Sequence, residues 1–182
     1  MIESRADLQA YLEADRVALG CERSLKALVL DDVWRYQRSL RRLEYRLNAG
    51  GNPVALLAAK LRHRRHGRRL GFSIPPNVFG PGLSIAHPGT IVVHSEARIG
   101  AACRLHVDVV IGASRGDAGV PAIGDHCYIG PGAKVFGAIE IGDGTVIGAN
   151  AVVNRSFPEG NVTLAGVPAS PVGSRASEAI AG

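Results

Sequence analysis

An aliphatic residue followed by glycine recurs down the second half of this chain, as Ile99-Gly100, Ile111-Gly112, Ile123-Gly124, Ile129-Gly130, Ile141-Gly142 and Ile147-Gly148. Every interval between these pairs is a multiple of six residues. Leu105, Val135 and Val153 fall in the same phase with a different second residue. Four positions after the aliphatic slot comes a second column: Phe79, Ile85, Ile91, Ala97, Cys103, Val109, Cys127, Ala133, Ile139, Thr145 and Ala151. No member of it is charged. A fixed internal period constrains the fold more tightly than any local propensity, because each repeat must be the same structural unit.

Six residues accommodate one short strand and one turn, and three such units close a triangular coil of roughly 18 residues. Coils then stack at the inter-strand spacing of about 4.8 Å, with backbone hydrogen bonds running along the solenoid. The aliphatic and small columns point inward. Glycine after the aliphatic residue is expected to supply the backbone conformation of the corner. Cys103 and Cys127 become small core hydrophobes of the second column. The fold class is mainly β, a left-handed parallel β-helix of hexapeptide repeats preceded by a small α-helical N-terminal region. With only 5% aromatic residues and 23 glycines, the composition favours a core of small and β-branched side chains.

The period is broken once. The segment Gly112 to Ala122 holds no proper repeat and reads as a loop thrown out from the coil, returning at Pro121. The repeats end near Val153. Thr163 to Ala169 is expected to fold back on the last coil, and residues 174–182 to form a flexible tail.

Before about residue 70 the spacing is helical. Ser4 followed by Asp7 fits an N-cap, and Leu8, Leu12 and Val17 to Leu19 share a face. From about Asp31 to Asn48, Val33, Tyr36, Leu40, Leu43 and Leu47 recur at three and four. A third helix is expected from about Val54 to Arg65, stopped by Gly67 or Gly71. The organisation is thus a helical region 1–70, a β-helix 71–173 and a tail 174–182.

The formal net charge is +5, much of it in the run Arg62 to Arg69. Such a run suits nucleic acid, an acidic membrane or an acidic ligand, or is simply a solvated helix end before a boundary. No nucleic-acid-binding signature accompanies it, so no nucleic-acid partner is expected. No apolar run is long enough for a transmembrane helix, and residues 1–19 lack the apolar stretch of a signal peptide. The three cysteines, Cys21, Cys103 and Cys127, have neither disulfide nor metal-ligand spacing. A cytoplasmic protein is expected, with no metal and no permanently bound cofactor.

Six histidines are the candidates for proton transfer. His63 and His66 belong to the basic run and read as surface, and His126 as an exposed strand position. His87, in Ser84-Ile85-Ala86-His87-Pro88-Gly89-Thr90, occupies an aliphatic slot of the six-residue frame. A polar residue breaking a strong repeat is a local rule violated, and such breaks concentrate at functional sites. A histidine bonded to backbone in a distorted first coil is the alternative. His106 follows one coil later, near the same corner. His94 and His106, twelve residues apart, belong near different corners and rank below His87.

The span from about Gly71 to Gly173 closely resembles the serine O-acetyltransferase group of hexapeptide acyltransferases. More narrowly, it looks like the short serine acetyltransferase-like proteins associated with polysaccharide synthesis. The matching segments are Ile74 to His87, Ile129 to Gly137, Ile147 to Val153, and Ala165 to Ala169. The last three occur in many hexapeptide acyltransferases, and the His87 segment is the specific one. The resemblance implies acetyl-CoA as cosubstrate and a homotrimer with sites between neighbouring β-helices. It implies His87 as general base on an acceptor hydroxyl that attacks the thioester directly. It gives the Gly112 to Ala122 loop the role of enclosing the site, and lays coenzyme A along Gly132, Ala133, Gly148, Ala149 and Ala165. Lys134 or Arg155 would pair with a phosphate.

The chain also departs from the family pattern. Ala86 stands where an aspartate precedes the catalytic histidine and helps bind serine. No aspartate near Phe72 to Ile74 matches the one that orients that histidine. The loop's arginine-histidine pair falls near Gly119-Val120, and the sequence ends in Ala-Gly, not the isoleucine that docks into cysteine synthase. His106, Arg115 and Asp117 are the candidates to hold the acceptor instead. Three functions follow: an O-acetyltransferase acting on serine, one acting on a sugar or polysaccharide precursor, or a non-catalytic trimeric scaffold.

Overall fold

The computed structural model describes residues 1–21, 30–115 and 119–174. Helix α1 (Arg5–Ala18) opens with a capping box in which Ser4 accepts from the Asp7 N–H and the Asp7 carboxylate accepts from the Ser4 N–H. Helix α2 (Asp32–Asn48) is capped by Asp31, whose side chain accepts from Trp34 N. Its buried stripe runs Val33, Tyr36, Leu40 and Leu43. Helix α3 (Pro53–Leu70) outlasts the sequence-based boundary and takes in the whole basic run. Gly67 is buried inside it, where a Cβ would lie 2.7 Å from Phe72 O. Gly71, at φ +80, ends the helix in the left-handed conformation. Val17 does not join the apolar face of α1; it is 62% exposed.

From Phe72 the chain winds into three faces. Face one is ordered β1 (Phe72–Ser73), β3 (Ile91–Val93), β6 (Val109–Gly112), β9 (Lys134–Phe136) and β12 (Val152–Val153). Face two holds β4 (Arg98–Ile99), β7 (Ala122–Ile123) and β10 (Glu140–Ile141). Face three runs β2 (Ser84–Ile85), β5 (Arg104–Leu105), β8 (Tyr128–Ile129), β11 (Val146–Ile147), β13 (Val162–Gly166) and β14 (Ala169–Ser174). All pairings are parallel except β13 with β14: Thr163 and Leu164 continue face three in parallel with β11, and the chain folds back only from Ala169 onward, later than the sequence suggests. The fold is a left-handed parallel β-helix beneath a helical layer. Ser174 belongs to β14, and the rest of the expected tail lies outside the described residues.

Both columns are buried as the period requires. Ile99, Leu105, Ile111, Ile123, Ile129, Val135, Ile141, Ile147 and Val153 form one wall, and Ala97, Cys103, Val109, Cys127, Ala133 and Ala151 another. The glycines after the aliphatic residues are there for a different reason than the sequence suggests. None of Gly100, Gly124, Gly130, Gly142 or Gly148 has positive φ. The left-handed position is the third after the aliphatic slot, at Ala102, Asp108, His126, Gly132, Gly144 and Asn150. The Ile-Gly glycines instead make room for the next coil. A Cβ on Gly100 would sit 2.2 Å from Asp125 Oδ1, and one on Gly124 2.1 Å from Asp143 Oδ1. Those carboxylates accept the N–H groups of Ala101 and Asp125, both at 2.7 Å, and so tie corner to corner.

A buried polar cluster seats the helical layer on the first coil. Arg41 pairs with both Asp15 oxygens and with Glu44, and donates to the carbonyls of Phe79 and Gly80. Asp15 Oδ1 also accepts from Gly82 N and Leu83 N, both at 2.9 Å, and Glu44 accepts from Asn77 N at 2.8 Å. Gln37 closes the free edge of β2, donating to Leu83 O at 2.7 Å and accepting from Ile85 N at 3.3 Å. Burial raises the Glu44 carboxyl above its ordinary proton affinity, against the pull of Arg41. His63 is no surface residue: its ring contacts Tyr36, with Nδ1 3.1 Å from Ser39 Oγ.

Candidate functional site

Parallel pairing corrects the place of His87 in the frame. Ile85, not His87, stands opposite Leu105, and Ala86 N donates to Leu105 O at 2.9 Å. Six residues separate Ile85 from Ile91, while only four separate the opposing Leu105 from Val109. The extra two residues bulge out at the edge between faces three and one, and His87 is carried on that bulge, exposed to solvent. The bulge is pinned beyond His87 as well: Gly89 N donates to Leu70 O at 3.0 Å, and Ile91 N to Gly71 O at 3.1 Å. The six-residue frame therefore fails at His87 because the chain is longer there, not because an imidazole replaces a core residue.

His106 occupies the next coil directly opposite Ala86, with its N–H on Ile129 O. Its ring lies 6.3 Å from that of His87 and 5.0 Å from that of Tyr128. Its Nε2 is buried and has no hydrogen-bond partner among the described residues. Burial, then Arg104 and His87, hold its proton affinity below the ordinary histidine value, which favours the neutral ring. An orphaned polar atom beside an exposed histidine is a place for a hydroxyl or carboxylate of a bound molecule. Arg104 is engaged with Ser84 Oγ at 3.3 Å.

The other candidates divide by their place on the prism. Gly132, Gly148 and Ala149 follow β8 and β11, on the same edge as His87 and His106. Ala149 is exposed, and Gly148 and Ala165 on β13 are half-buried, so small residues line that edge. Ala133 does not: it is wholly buried in the core column, which removes it from any groove. Gly132 is buried too, and serves coil stacking, since a Cβ there would meet Asn150 Oδ1 at 2.0 Å. Lys134 is paired with Asp108 Oδ2 at 3.1 Å. Arg155 is exposed and lies over the ring of Phe157, 5.2 Å from its centroid.

The interrupting loop leaves β6 and enters β7, at the edge between faces one and two. It adds six residues to one coil: Leu105 pairs with Ile129, whereas Ile129 pairs with Ile147. His94 and the exposed Arg115 lie on this second edge, and Asp117 falls outside the described residues. Within one chain the loop and His87 thus occupy different edges, and His94 and His106 lie at different corners, as their spacing of twelve residues implied. Two cavities of about 410 and 420 Å³ flank the helical layer, and among the described residues neither is lined by His87 or another predicted site residue. Sequence reasoning missed Gln37, Asp15, Arg41 and Glu44, which hold the strand leading to His87. The signal was present as a polar line, Gln37, Arg41 and Glu44, at helical spacing beside the apolar stripe of α2.

A family model described as bacterial transferase hexapeptide (six repeats) matches residues 121–155. The chain is 38% identical over 101 residues to a serine acetyltransferase of Mycobacterium tuberculosis, covering 54% of this chain and 44% of that protein. It is 34% identical over 128 residues to one of Helicobacter pylori, covering 60% of this chain and 75% of the relative. Among solved structures, Neisseria gonorrhoeae serine acetyltransferase in complex with serine superposes with a TM-score of 0.75 at 26% identity. That match covers 93% of this chain and 70% of the other.

Proposed function

The chain belongs to the serine acetyltransferase family, and on that premise we propose that it transfers the acetyl group of acetyl-CoA to a hydroxyl acceptor, with His87 as general base. The imidazole takes the hydroxyl proton as the oxygen attacks the thioester carbonyl. The tetrahedral adduct collapses with loss of the coenzyme A thiolate, which recovers the proton from the imidazolium. His87 needs no dissection from the core to do this, being exposed on a bulge pinned by backbone bonds on both sides. That placement is the observation that carries the reading. The edge that bears His87 continues into Gly148 and Ala149, whose small side chains suit a narrow donor arm.

Acetyl-CoA as cosubstrate and a homotrimer go with this reading. The Arg115 loop and His87 sit on different edges of one prism, so a site containing both needs a neighbouring chain. No helix among the described residues is long and apolar enough to cross a membrane. The donor, together with three cysteines that form no disulfide, supports action in the cytoplasm.

Serine is the acceptor that the relatives' names point to. A second reading, a sugar or polysaccharide-precursor hydroxyl, is favoured by Ala86, which puts no carboxylate beside His87 to receive an amino group. Release of free thiol from acetyl-CoA, measured with L-serine and with a panel of sugars, decides between them. Turnover with serine supports the first and turnover with a sugar alone the second. Absence of thiol release with every acceptor, together with no binding of acetyl-CoA, leaves only the trimeric scaffold.

A further inference from the structure

The sequence singles out the basic run of α3, but the structure groups the arginines differently. Arg35, Arg38, Arg42 and Arg46 recur at three and four along α2 and therefore line one side of it. Arg62 faces them from α3 across a groove of about 420 Å³ that Ser39 of α2 and Ala55, Ala58 and Ala59 of α3 also line. Five guanidinium groups thus border one concavity, and among the described residues no acidic side chain lines it. Arg35 is paired with Asp32 at 3.1 Å. No described carboxylate forms an ion pair with Arg42, Arg46 or Arg62.

We propose that this groove between α2 and α3 binds a small soluble molecule carrying two or more phosphate groups. Planar guanidinium forks match phosphate oxygens two at a time, and arginine is chosen over lysine where that geometry matters. All five cations here are arginine. The volume falls within the range of small-ligand sites, roughly 300–1,000 Å³. Among the described residues the lining holds no aromatic side chain to stack on a base, and the chemistry it offers is directed at phosphate. The free protein is also electrostatically uncomfortable there. Burial, then Arg42, Arg35 and Arg62, hold the Arg38 guanidinium below its ordinary proton affinity, and burial, Arg62 and Arg46 do the same to Arg42. A bound polyanion removes that mutual repulsion. The groove shares no residue with the His87 edge, so the proposal stands or falls independently of the acetyl transfer.

Calorimetric titration of the full chain with sodium tripolyphosphate, at low and at physiological salt, is the test. Saturable binding of one tripolyphosphate per chain is expected, weakening with salt. Removal of a single guanidinium, as in R42Q or R62Q, should raise the dissociation constant about tenfold with unchanged helical circular dichroism. R42K, which keeps the charge and loses the fork, should bind more weakly than the parent. No binding at low salt, or equal affinity in the parent and R42Q/R62Q, overturns the proposal. Phosphatidylcholine vesicles doped with phosphatidic acid separate a soluble source from a lipid headgroup. Tripolyphosphate binding without vesicle association supports the soluble ligand. Vesicle association that R42Q/R62Q abolishes, in a chain that ignores tripolyphosphate, overturns it.

Discussion

The imidazoles of His87 and His106 stand nearly edge to face, with ring centroids 6.3 Å apart, on successive coils of one edge of the β-helix. One is exposed and the other presents a buried, unpartnered Nε2. On the proposed reading the two histidines would have separate tasks, one moving a proton and the other holding a substrate polar group.

His87→Ala should lower acetyl-CoA turnover roughly 10²–10⁴-fold, the usual contribution of a general base, while oligomeric size and melting temperature stay as in the parent. Steady-state thiol release and size-exclusion chromatography read the two. Activity that survives intact moves the base to His106 or His94.

His106→Ala should act chiefly on the acceptor KM, with kcat reduced less. The same preparation offers a companion variant: Ala86→Asp places a carboxylate opposite His106 and should improve the use of L-serine relative to other hydroxyls. A KM for the acceptor that neither substitution moves would remove this pair from acceptor binding.

Gly124→Ala should destabilise the fold by about 1–3 kcal/mol or more, since its Cβ would collide with Asp143 Oδ1 and backbone of the next coil. Gly112→Ala, in the same sequence column, has nothing within 4 Å and should be neutral or gain a few tenths of a kcal/mol. Thermal melts of both test the close-approach explanation. Equal losses would return the explanation to backbone conformation.

Asp15→Ala leaves Arg41 buried without half of its counter-charge and strips the acceptor from Gly82 N and Leu83 N. A loss of about 3–5 kcal/mol is expected, seen as a lower denaturation midpoint. Because these bonds hold the strand that leads to His87, activity should fall before global unfolding as denaturant is added.

Burial holds the proton affinity of His63 below its ordinary value, with His66 adding to the effect and Ile74 O opposing it. The folded state therefore favours the neutral ring. Its contribution to stability is present above the unfolded value of about 6.5 and is lost as pH falls through the depressed folded value. The melting temperature should drop more steeply between pH 7 and pH 5 in the parent than in His63→Gln. Parallel curves would exclude His63 as a source of acid lability.

The period of six by itself determined the prism, its two inward columns and the position of the loop, because any residue out of phase would put a polar group in a core only a few side chains wide. The helices were legible in the same way, from Ser4, Asp31 and the stripe of Val33, Tyr36, Leu40 and Leu43. The choice of His87 from the sequence rested on a slot that parallel pairing gives to Ile85. Only the register shows the two-residue bulge, since pairing partners, not spacing along the chain, define which residues are opposed. Tertiary structure alone decided that Ala133 faces inward, that Lys134 is held by Asp108, and that Arg41 bridges α1, α2 and the first coil. It also gathered α2's arginines against Arg62 of α3, two segments whose charges carry no mutual signal in one dimension. A one-dimensional repeat dictates what must be buried, and three-dimensional packing dictates which polar groups meet and which are left over for a ligand.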